Sequence, residues 1–167
     1  MKLVAVVSIA LVLAACAFTG ATLRDVGILE YGRFEKPQPA GNTNNVVVDA
    51  KLIEQTTEIP AVLGTSFGLR VKYIGAPNGA PITCTAKCLH PKITDPDSGR
   101  TSESDQWETA GTIGRAGFIG YRFDKAWELV PGTWTIQVFV GSKLRAEKTF
   151  IVKAAAEEPS PPPTGST

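Results

Sequence analysis

Residues 133–140 read TWTIQVFV, and apolar and polar side chains alternate along most of this stretch. Trp134, Ile136, Val138 and Val140 fall on one face of an extended chain. A period of two, combined with aromatic and β-branched residues, is typical of a strand with one buried face. The stretch therefore predicts a half-buried β-strand.

The segment that follows, residues 144–152, carries the same alternation and predicts a hairpin partner. A two-residue turn at Gly141 and Ser142 would set Val140 opposite Lys143 and mix apolar with charged faces. We therefore expect either a three-residue loop at 141–143 or a compensating bulge. In this register Lys148 points inward among apolar neighbours, a device that guards edge strands.

Similar strand patterns cover most of the remaining chain. They fall at residues 26–34, 46–59 (with an interruption), 67–73, 82–90 and 118–123. Clusters of Gly, Pro and Asn, such as residues 75–81, separate them, and only residues 124–129 form a weak helix candidate. About seven short strands predict an all-β fold, a single antiparallel β-sandwich.

Residues 129–134 lead into the strand predicted at 133–140. Their sequence, Leu129-Val130-Pro131-Gly132-Thr133-Trp134, resembles a corner found in immunoglobulin-like and fibronectin-type sandwiches. Trp134 stands where those domains usually carry Tyr, so the resemblance does not imply their tyrosine-corner hydrogen bond. A wider set of segments resembles an uncharacterised bacterial domain of unknown function in exported proteins. These segments are residues 59–68, 90–91, 96–99, 121–123, 128–134 and 150–152. The resemblance implies an immunoglobulin-like domain over about residues 25–153, and it implies no activity, cofactor or catalytic residue.

The first fifteen residues have the pattern of a secretory signal peptide, with Lys2 before a short apolar run. The run is shorter than the roughly 20 apolar residues that span a membrane. Its end, Leu13-Ala14-Ala15-Cys16, resembles the lipobox of bacterial lipoproteins. That resemblance implies cleavage before Cys16, lipids on its sulfur and amino group, and, because Ala17 follows, sorting to the outer membrane facing the periplasm. Residues 16–24 are then an anchor linker.

Residues 154–167 are rich in Pro, Ser, Gly and Thr and predict a disordered tail. Without residues 1–15, which contain one Lys, the chain keeps 17 − 1 = 16 basic and 16 acidic residues. This balance argues against a nucleic-acid partner. We expect the membrane, through the lipid on Cys16, and an envelope protein as partners, and no small-molecule substrate or cofactor.

Residues 81–91, PITCTAKCLHP, contain two cysteines and the only histidine. In a strand, Cys84, Cys88 and His90 share one face with small apolar neighbours, which favours a core role. The two Cα atoms would lie about 13 Å apart, so a disulfide needs a bend in the strand, although an exported protein meets oxidising conditions. A metal site lacks a fourth His or Cys ligand, and a Cys–His nucleophile lacks an orienting group. Both alternatives, metal-binding domain and Cys/His enzyme, stay open at this point.

The segment after this strand is acidic and polar, from Asp95 and Asp97 through Glu103, Asp105 and Glu108. We interpret it as a candidate contact loop that includes Asp95, Asp97 and Trp107, because binding residues often lie on loops. The sequence at 94–99 has some features of a calcium loop but lacks the downstream Glu, so a turn is the expected structure. No catalytic constellation is visible, and we expect a non-catalytic binding, adaptor or structural module.

Overall fold

The computed structural model describes residues 20–35, 38–39 and 47–155. This part of the chain is built almost entirely from β-strands. The strands are β1 (Thr22–Phe34), β2 (Gln38–Pro39), β3 (Val47–Asp49), β4 (Leu52–Glu54), β5 (Glu58–Ala61), β6 (Ser66–Ala76), β7 (Pro81–Thr94), β8 (Thr101–Thr112), β9 (Ala116–Arg122), β10 (Gly132–Val140) and β11 (Lys143–Ala154).

The strands form two main sheets. One has the order β4-β1-β6-β9 and the other the order β5-β11-β10-β7-β8, while β2 pairs with β3. All pairs are antiparallel except β5 with β11, which is parallel. The prediction of an all-β sandwich is confirmed, but the strands outnumber the predicted seven, because the 46–59 region is divided into β3, β4 and β5, and because two strands, β2 and β8, were not predicted.

A cluster of packed aromatic rings lies in the core between the sheets. Phe67 of β6 lies 5.9 Å from Trp134 of β10 and 5.3 Å from Phe150 of β11 between ring centroids. Phe67, Trp134 and Phe150 are all fully buried. Such contacts add about 0.5–1.5 kcal/mol each beyond simple burial. The alternation that predicted β10 and β6 therefore reflects two rows of side chains that meet in one core.

The corner that leads into β10 depends on two of its residues, Gly132 and Trp134. Gly132 has a φ of +139°, and a Cβ atom there would lie 2.8 Å from Cγ of Pro91, so only glycine fits without strain. The indole Nε1 of Trp134 donates a hydrogen bond to the carbonyl of Val130 at 3.0 Å. Trp134 thus makes a bond back to the upstream backbone, as the usual Tyr does with its hydroxyl.

The β10–β11 hairpin follows the second of the two expected arrangements. Val140 pairs with Lys143 across a two-residue turn, and the register then shifts between Val138 and Phe139. This bulge restores the apolar rows, so that Ala146 and Phe150 are buried. Lys148 points to the same side, as predicted, and its ammonium lies 3.7 Å from the centroid of the Tyr31 ring, a cation–π contact.

The interpretation of the segment from Asp95 to Glu108 as one loop is wrong beyond residue 100, because residues 101–112 form the twelve-residue strand β8. β8 pairs with β7 along its length: Pro81 lies opposite Thr112 at one end and Thr94 lies opposite Thr101 at the other, with one register shift between them. Most of its residues are polar, and all are exposed or half-buried, since β8 is the outermost strand of its sheet. An edge strand with one neighbour needs few apolar side chains, so the apolar alternation that marks inner strands is weak here.

Strand directions define two ends of the sandwich. At the entry end lie the start of β1 and the turns 77–80, 113–115 and 141–142, since Thr22 pairs with Ala76. At the far end lie the turn 95–100 and the segment 123–131. The predicted helix at 124–129 is a single 3₁₀ turn, Ala126–Glu128. Within the residues described, no helix has the length and apolarity to cross a bilayer.

Both predicted boundaries of the domain shift slightly. β1 begins at Thr22, inside the segment predicted as an anchor linker, because its first residues pair with the end of β6. β11 ends at Ala154, the first residue of the predicted tail. Cys16 and residues 156–167 lie outside the described residues.

Candidate functional site

The cysteines and the histidine of β7 are all core residues. Cys84 is 1 % exposed, Cys88 is 0 % and His90 is 6 %. Both thiols are free, and the strand that carries them has no bend between them, since residues 84–88 pair with β8 in continuous register. The structure thus places Cys84 and Cys88 where the parity of the sequence predicted them.

The environment of the two thiols keeps them protonated. Burial raises the pKa of Cys88, and the charge of Asp105 raises it further. Burial also raises the pKa of Cys84, against a weaker opposing hydrogen bond with Tyr73. Because the thiolate is the nucleophile and the metal ligand, neither thiol is prepared for such chemistry in this conformation.

The contacts of His90 are structural. Its Nδ1 lies 2.8 Å from the carbonyl oxygen of Pro91, which can only accept, so Nδ1 carries the hydrogen. Its Nε2 lies 3.5 Å from Oδ2 of Asp105, a contact too long for a strong hydrogen bond. The ring packs on Trp134 with centroids 5.0 Å apart. The Sγ of Cys88 faces the carbonyl oxygen of Leu89 at 3.9 Å.

No metal centre is assembled around these residues. In the part of the chain that the structure describes, no three His, Cys, Asp or Glu side chains are grouped to hold a metal ion. The site proposed from Cys84, Cys88 and His90 therefore has its candidate ligands along one strand, in the core, without an arrangement that converges on an ion.

The open concave surface lies at the far end of the sandwich, and we call it the end pocket. Its volume is about 320 Å³. It is bounded by the turn 95–100, the first half of β8, the end of β9 and the 3₁₀ turn. Its polar and aromatic lining includes Asp95, Asp105, Tyr121, Trp127 and Glu128.

The turn 95–100 is organised by Asp95. Its two carboxylate oxygens accept hydrogen bonds from the backbone N–H of Asp97 at 2.9 Å and the hydroxyl of Ser98 at 2.7 Å. The hydrogen bond from Ser98 is the main reason that the pKa of Asp95 is lowered, followed by the one from Asp97. Gly99 closes the turn at a φ of +68°. The predicted turn is confirmed, and its carboxylate is engaged within the turn itself.

The floor of the end pocket is a cluster of two carboxylates and one hydroxyl. The hydroxyl of Tyr121 lies 3.3 Å from Oε1 of Glu128 and 3.4 Å from Oδ2 of Asp105. Burial raises the pKa of Tyr121, and the charges of Glu128 and Asp105 raise it further. The hydroxyl has one hydrogen for two acceptors, so the cluster is rich in acceptors and poor in donors.

The position of Glu128 is fixed by its own segment. Its Oε2 accepts hydrogen bonds from the backbone N–H groups of Asp124 at 2.6 Å and Lys125 at 2.9 Å. These bonds hold the carboxylate, which is only 9 % exposed, at the edge of the core. The second carboxylate oxygen is left to face Tyr121 and the end pocket. Such a site can bind donors or cations, but it contains no activated nucleophile.

The candidate contact residues predicted from the sequence do not all come together. Asp95 lines the end pocket, whereas Asp97 is an exposed turn residue outside its lining, and Trp107 packs against the core from β8. Tyr121 and Glu128 were missed as site residues. Tyr121 shares the core-facing parity of Ile119 and Phe123, and a buried hydroxyl requires a partner, a signal that could have identified it.

Two further cavities lie along β8. One, of about 220 Å³, is lined by Thr109–Thr112 together with residues of β9. The other, of about 310 Å³, is a shallow cleft between Lys92 and residues 101–103. All three cavities therefore have β8 as part of their wall.

Comparison with known proteins defines the family of the chain. No curated protein matches the sequence. A solved immunoglobulin-like protein from Pseudomonas aeruginosa is 32% identical, with a TM-score of 0.59, and the alignment covers 78% of this chain and 98% of that one. The model of a family described as domain of unknown function (DUF3859) matches residues 20–152. The chain belongs to this family of immunoglobulin-like domains.

Proposed function

We propose that this protein is a lipid-anchored protein of the bacterial cell envelope whose immunoglobulin-like domain binds another molecule and performs no catalysis. One observation carries the non-catalytic part. The residues with reactive chemistry, Cys88 and His90, lie in the core. The open end pocket is lined by carboxylates, aromatic rings, two serines and Arg100, and its lining contains no Cys or His. Accessible acceptors without reactive groups suit recognition.

The sequence supports the anchor. Leu13-Ala14-Ala15-Cys16 resembles a lipobox, and Thr22, where β1 begins, follows Cys16 by 22 − 16 = 6 positions. A lipid on Cys16 would hold the entry end close to the membrane. β1 runs from the entry end toward the far end over 13 residues, a length of about 43 Å at about 3.3 Å per residue. The end pocket would then face away from the lipid surface, toward the periplasm.

A fractionation experiment tests the anchor. In cells that make the full-length protein, the native chain is expected in the outer-membrane fraction, and Cys16→Ser in the soluble fraction. Ala17→Asp is the matched control, because it keeps the acylated cysteine and is expected to move the protein to the inner membrane. Membrane attachment of Cys16→Ser would contradict the proposal.

Thiol labelling tests the non-catalytic part. Full-length Cys16→Ser protein contains only Cys84 and Cys88 as thiols, and we expect neither to react with a maleimide in the folded state. A second variant that adds Gln106→Cys, at an exposed position of β8, is the positive control and should label rapidly.

The same experiment separates the alternatives for Cys84 and Cys88. Unfolding in urea without reductant should make both thiols reactive, whereas a disulfide would keep both silent until reductant is added. Rapid labelling of Cys88 in the folded protein would instead support an enzyme or a metal-binding domain that uses Cys84, Cys88 and His90.

A further inference from the structure

The strand β8 forms the long open edge of the five-stranded sheet. It has twelve residues and pairs on one side only, with β7. The opposite edge strand, β5, has four residues and contains Pro60. In the other sheet β4 has three residues, and β9 has β3 beside it. Among the described residues, β8 is thus the one long edge without a neighbouring strand.

β8 lacks Pro and Lys, two features that commonly protect an open edge, although it has one register shift against β7 and carries acids. Natural edge strands are often short or carry Pro or Lys, which discourage pairing with another chain. Residues 101–112, TSESDQWETAGT, contain neither. The only charged side chains of β8 are the acids Glu103, Asp105 and Glu108. Two copies of this edge would bring like charges together, so charge disfavours self-pairing and favours a basic partner.

The cavities along β8 add specificity to this edge. In strand addition, backbone hydrogen bonds supply affinity and pockets beside the edge select side chains. The end pocket borders Ser102 and Asp105, and the second cavity borders Thr109–Thr112. A strand added beside β8 would lie about 4.8 Å away, with alternate side chains directed toward these cavities.

The chemistry of the end pocket indicates which side chain it would accept. The carboxylates of Asp105 and Glu128 share the single hydrogen of Tyr121, with both contacts longer than 3.2 Å. Arg100 also lines the pocket, and a further ammonium or guanidinium group would supply donors and positive charge to this cluster of acceptors. The half-buried Trp127 belongs to the same lining, and an aromatic ring attracts a cation that lies over its face.

We propose that β8 receives an extended segment of a partner protein as an additional strand, and that this segment places a Lys or Arg side chain in the end pocket. The inference rests on the proposed binding function and names the class of partner. The partner is a protein with an accessible strand or extended terminus of basic character.

A set of labelled peptides tests the inference on the full-length Cys16→Ser protein by fluorescence anisotropy. The probe is a peptide of about ten residues, the upper range of strand length, that alternates Thr and Val and carries one central Arg. A second peptide has Glu in place of Arg. A third keeps Arg but is N-methylated at alternate backbone nitrogens, which removes the donors needed for pairing. We expect the Arg peptide to bind and the other two to bind at least about tenfold more weakly.

Variants of the protein locate the binding surface. The double variant Glu103→Lys and Glu108→Lys reverses two exposed charges of β8. It should lower the affinity for the Arg peptide by about tenfold or more. Glu147→Lys is the matched control, because Glu147 is an exposed acid on β11, away from the edge. Its affinity for the peptide should be unchanged.

Three outcomes would overturn the inference. Equal binding of the N-methylated peptide would show a charge contact without strand pairing. If none of the three peptides binds, a basic strand is not the partner. The non-catalytic function and the anchor would still be decided independently, by the thiol-labelling and fractionation experiments. Self-association of the protein that the double variant abolishes would assign the edge to a second copy.

Discussion

β7 and β8 lie side by side in one sheet, yet the structure uses them in opposite ways. β7 carries the residues with the most reactive chemistry, Cys84, Cys88 and His90, and buries all three. β8 carries ordinary polar residues and forms part of the wall of every cavity described. Accessibility, which is set by the position of a strand in the sheet, therefore decides which residues are available for function.

The cause of the difference is the number of neighbours. β7 lies between β10 and β8, and its residues 85–89 pair with both neighbours, so the backbone of this central part and the core-facing row of side chains are sequestered. β8 has β7 alone, and its outer side faces solvent. We therefore expect the two strands to differ in three measurable ways: in the stability cost of a new charge, in the pKa of their side chains and in the rate of amide hydrogen exchange.

The largest expected difference concerns a new charge. Cys88→Asp places a carboxylate at a fully buried position next to Asp105, and we expect it to reduce the free energy of unfolding by about 4 kcal/mol or more. Gln106→Asp adds the same side chain at an exposed position of β8 and should change stability by less than about 0.5 kcal/mol. Urea unfolding followed by tryptophan fluorescence measures both, and similar losses for the two variants would refute the assignment of β7 to the core.

The second difference concerns alkaline pH. Burial raises the pKa of Cys84 and Cys88 above their ordinary value of 9.0 and that of Tyr73 and Tyr121 above 10.0. The folded state retains protons that the unfolded chain releases. Stability should therefore be constant up to about pH 9 and fall above it, by up to about 1.4 kcal/mol per pH unit for each group.

Urea unfolding at pH 7.5, 9 and 10.5 measures this pH dependence. Cys88→Ala removes one of the four groups without adding a charge, so its stability should decline less steeply above pH 9. A native protein whose stability does not change up to pH 10.5 would contradict the buried, protonated state of these residues.

The smallest expected effect concerns the end pocket. Tyr121→Phe removes the hydroxyl between Asp105 and Glu128, whose contacts of 3.3 and 3.4 Å are long. We expect a loss of about 1 kcal/mol or less in the free energy of unfolding. Tyr31→Phe is the control, since it keeps the ring beneath Lys148 and should be close to neutral. A loss of several kcal/mol in Tyr121→Phe would show that the cluster is structural.

The inner strands were predictable because burial of one face imposes an alternation of apolar and polar side chains along the chain. Trp134 to Val140 alternate since one face meets Phe67 and the opposite sheet. Parity also placed Cys84, Cys88 and His90 correctly on the core face. The bulge in the β10–β11 hairpin followed from the same rule, because apolar rows on the two strands had to match.

The edge strand and the end pocket were harder to predict from the sequence. β8 has little apolar alternation, since one face meets solvent and its pairing with β7 depends on backbone groups that carry no sequence signal. The end pocket joins Asp105, Tyr121 and Glu128 from three segments. Their proximity depends on how the 3₁₀ turn and β9 pack at the far end, which local patterns do not encode.

Amide hydrogen exchange, measured residue by residue, distinguishes a closed β7 from an open β8. In the free protein we expect the amides of residues 85–89 of β7, which are paired on both sides, to exchange slowly, and every second amide of β8, those directed away from β7, to exchange rapidly. The Arg peptide should slow that rapid set and leave β7 unchanged. Uniformly slow exchange along β8 in the free protein, or a rapid set that the peptide does not protect, would contradict the account.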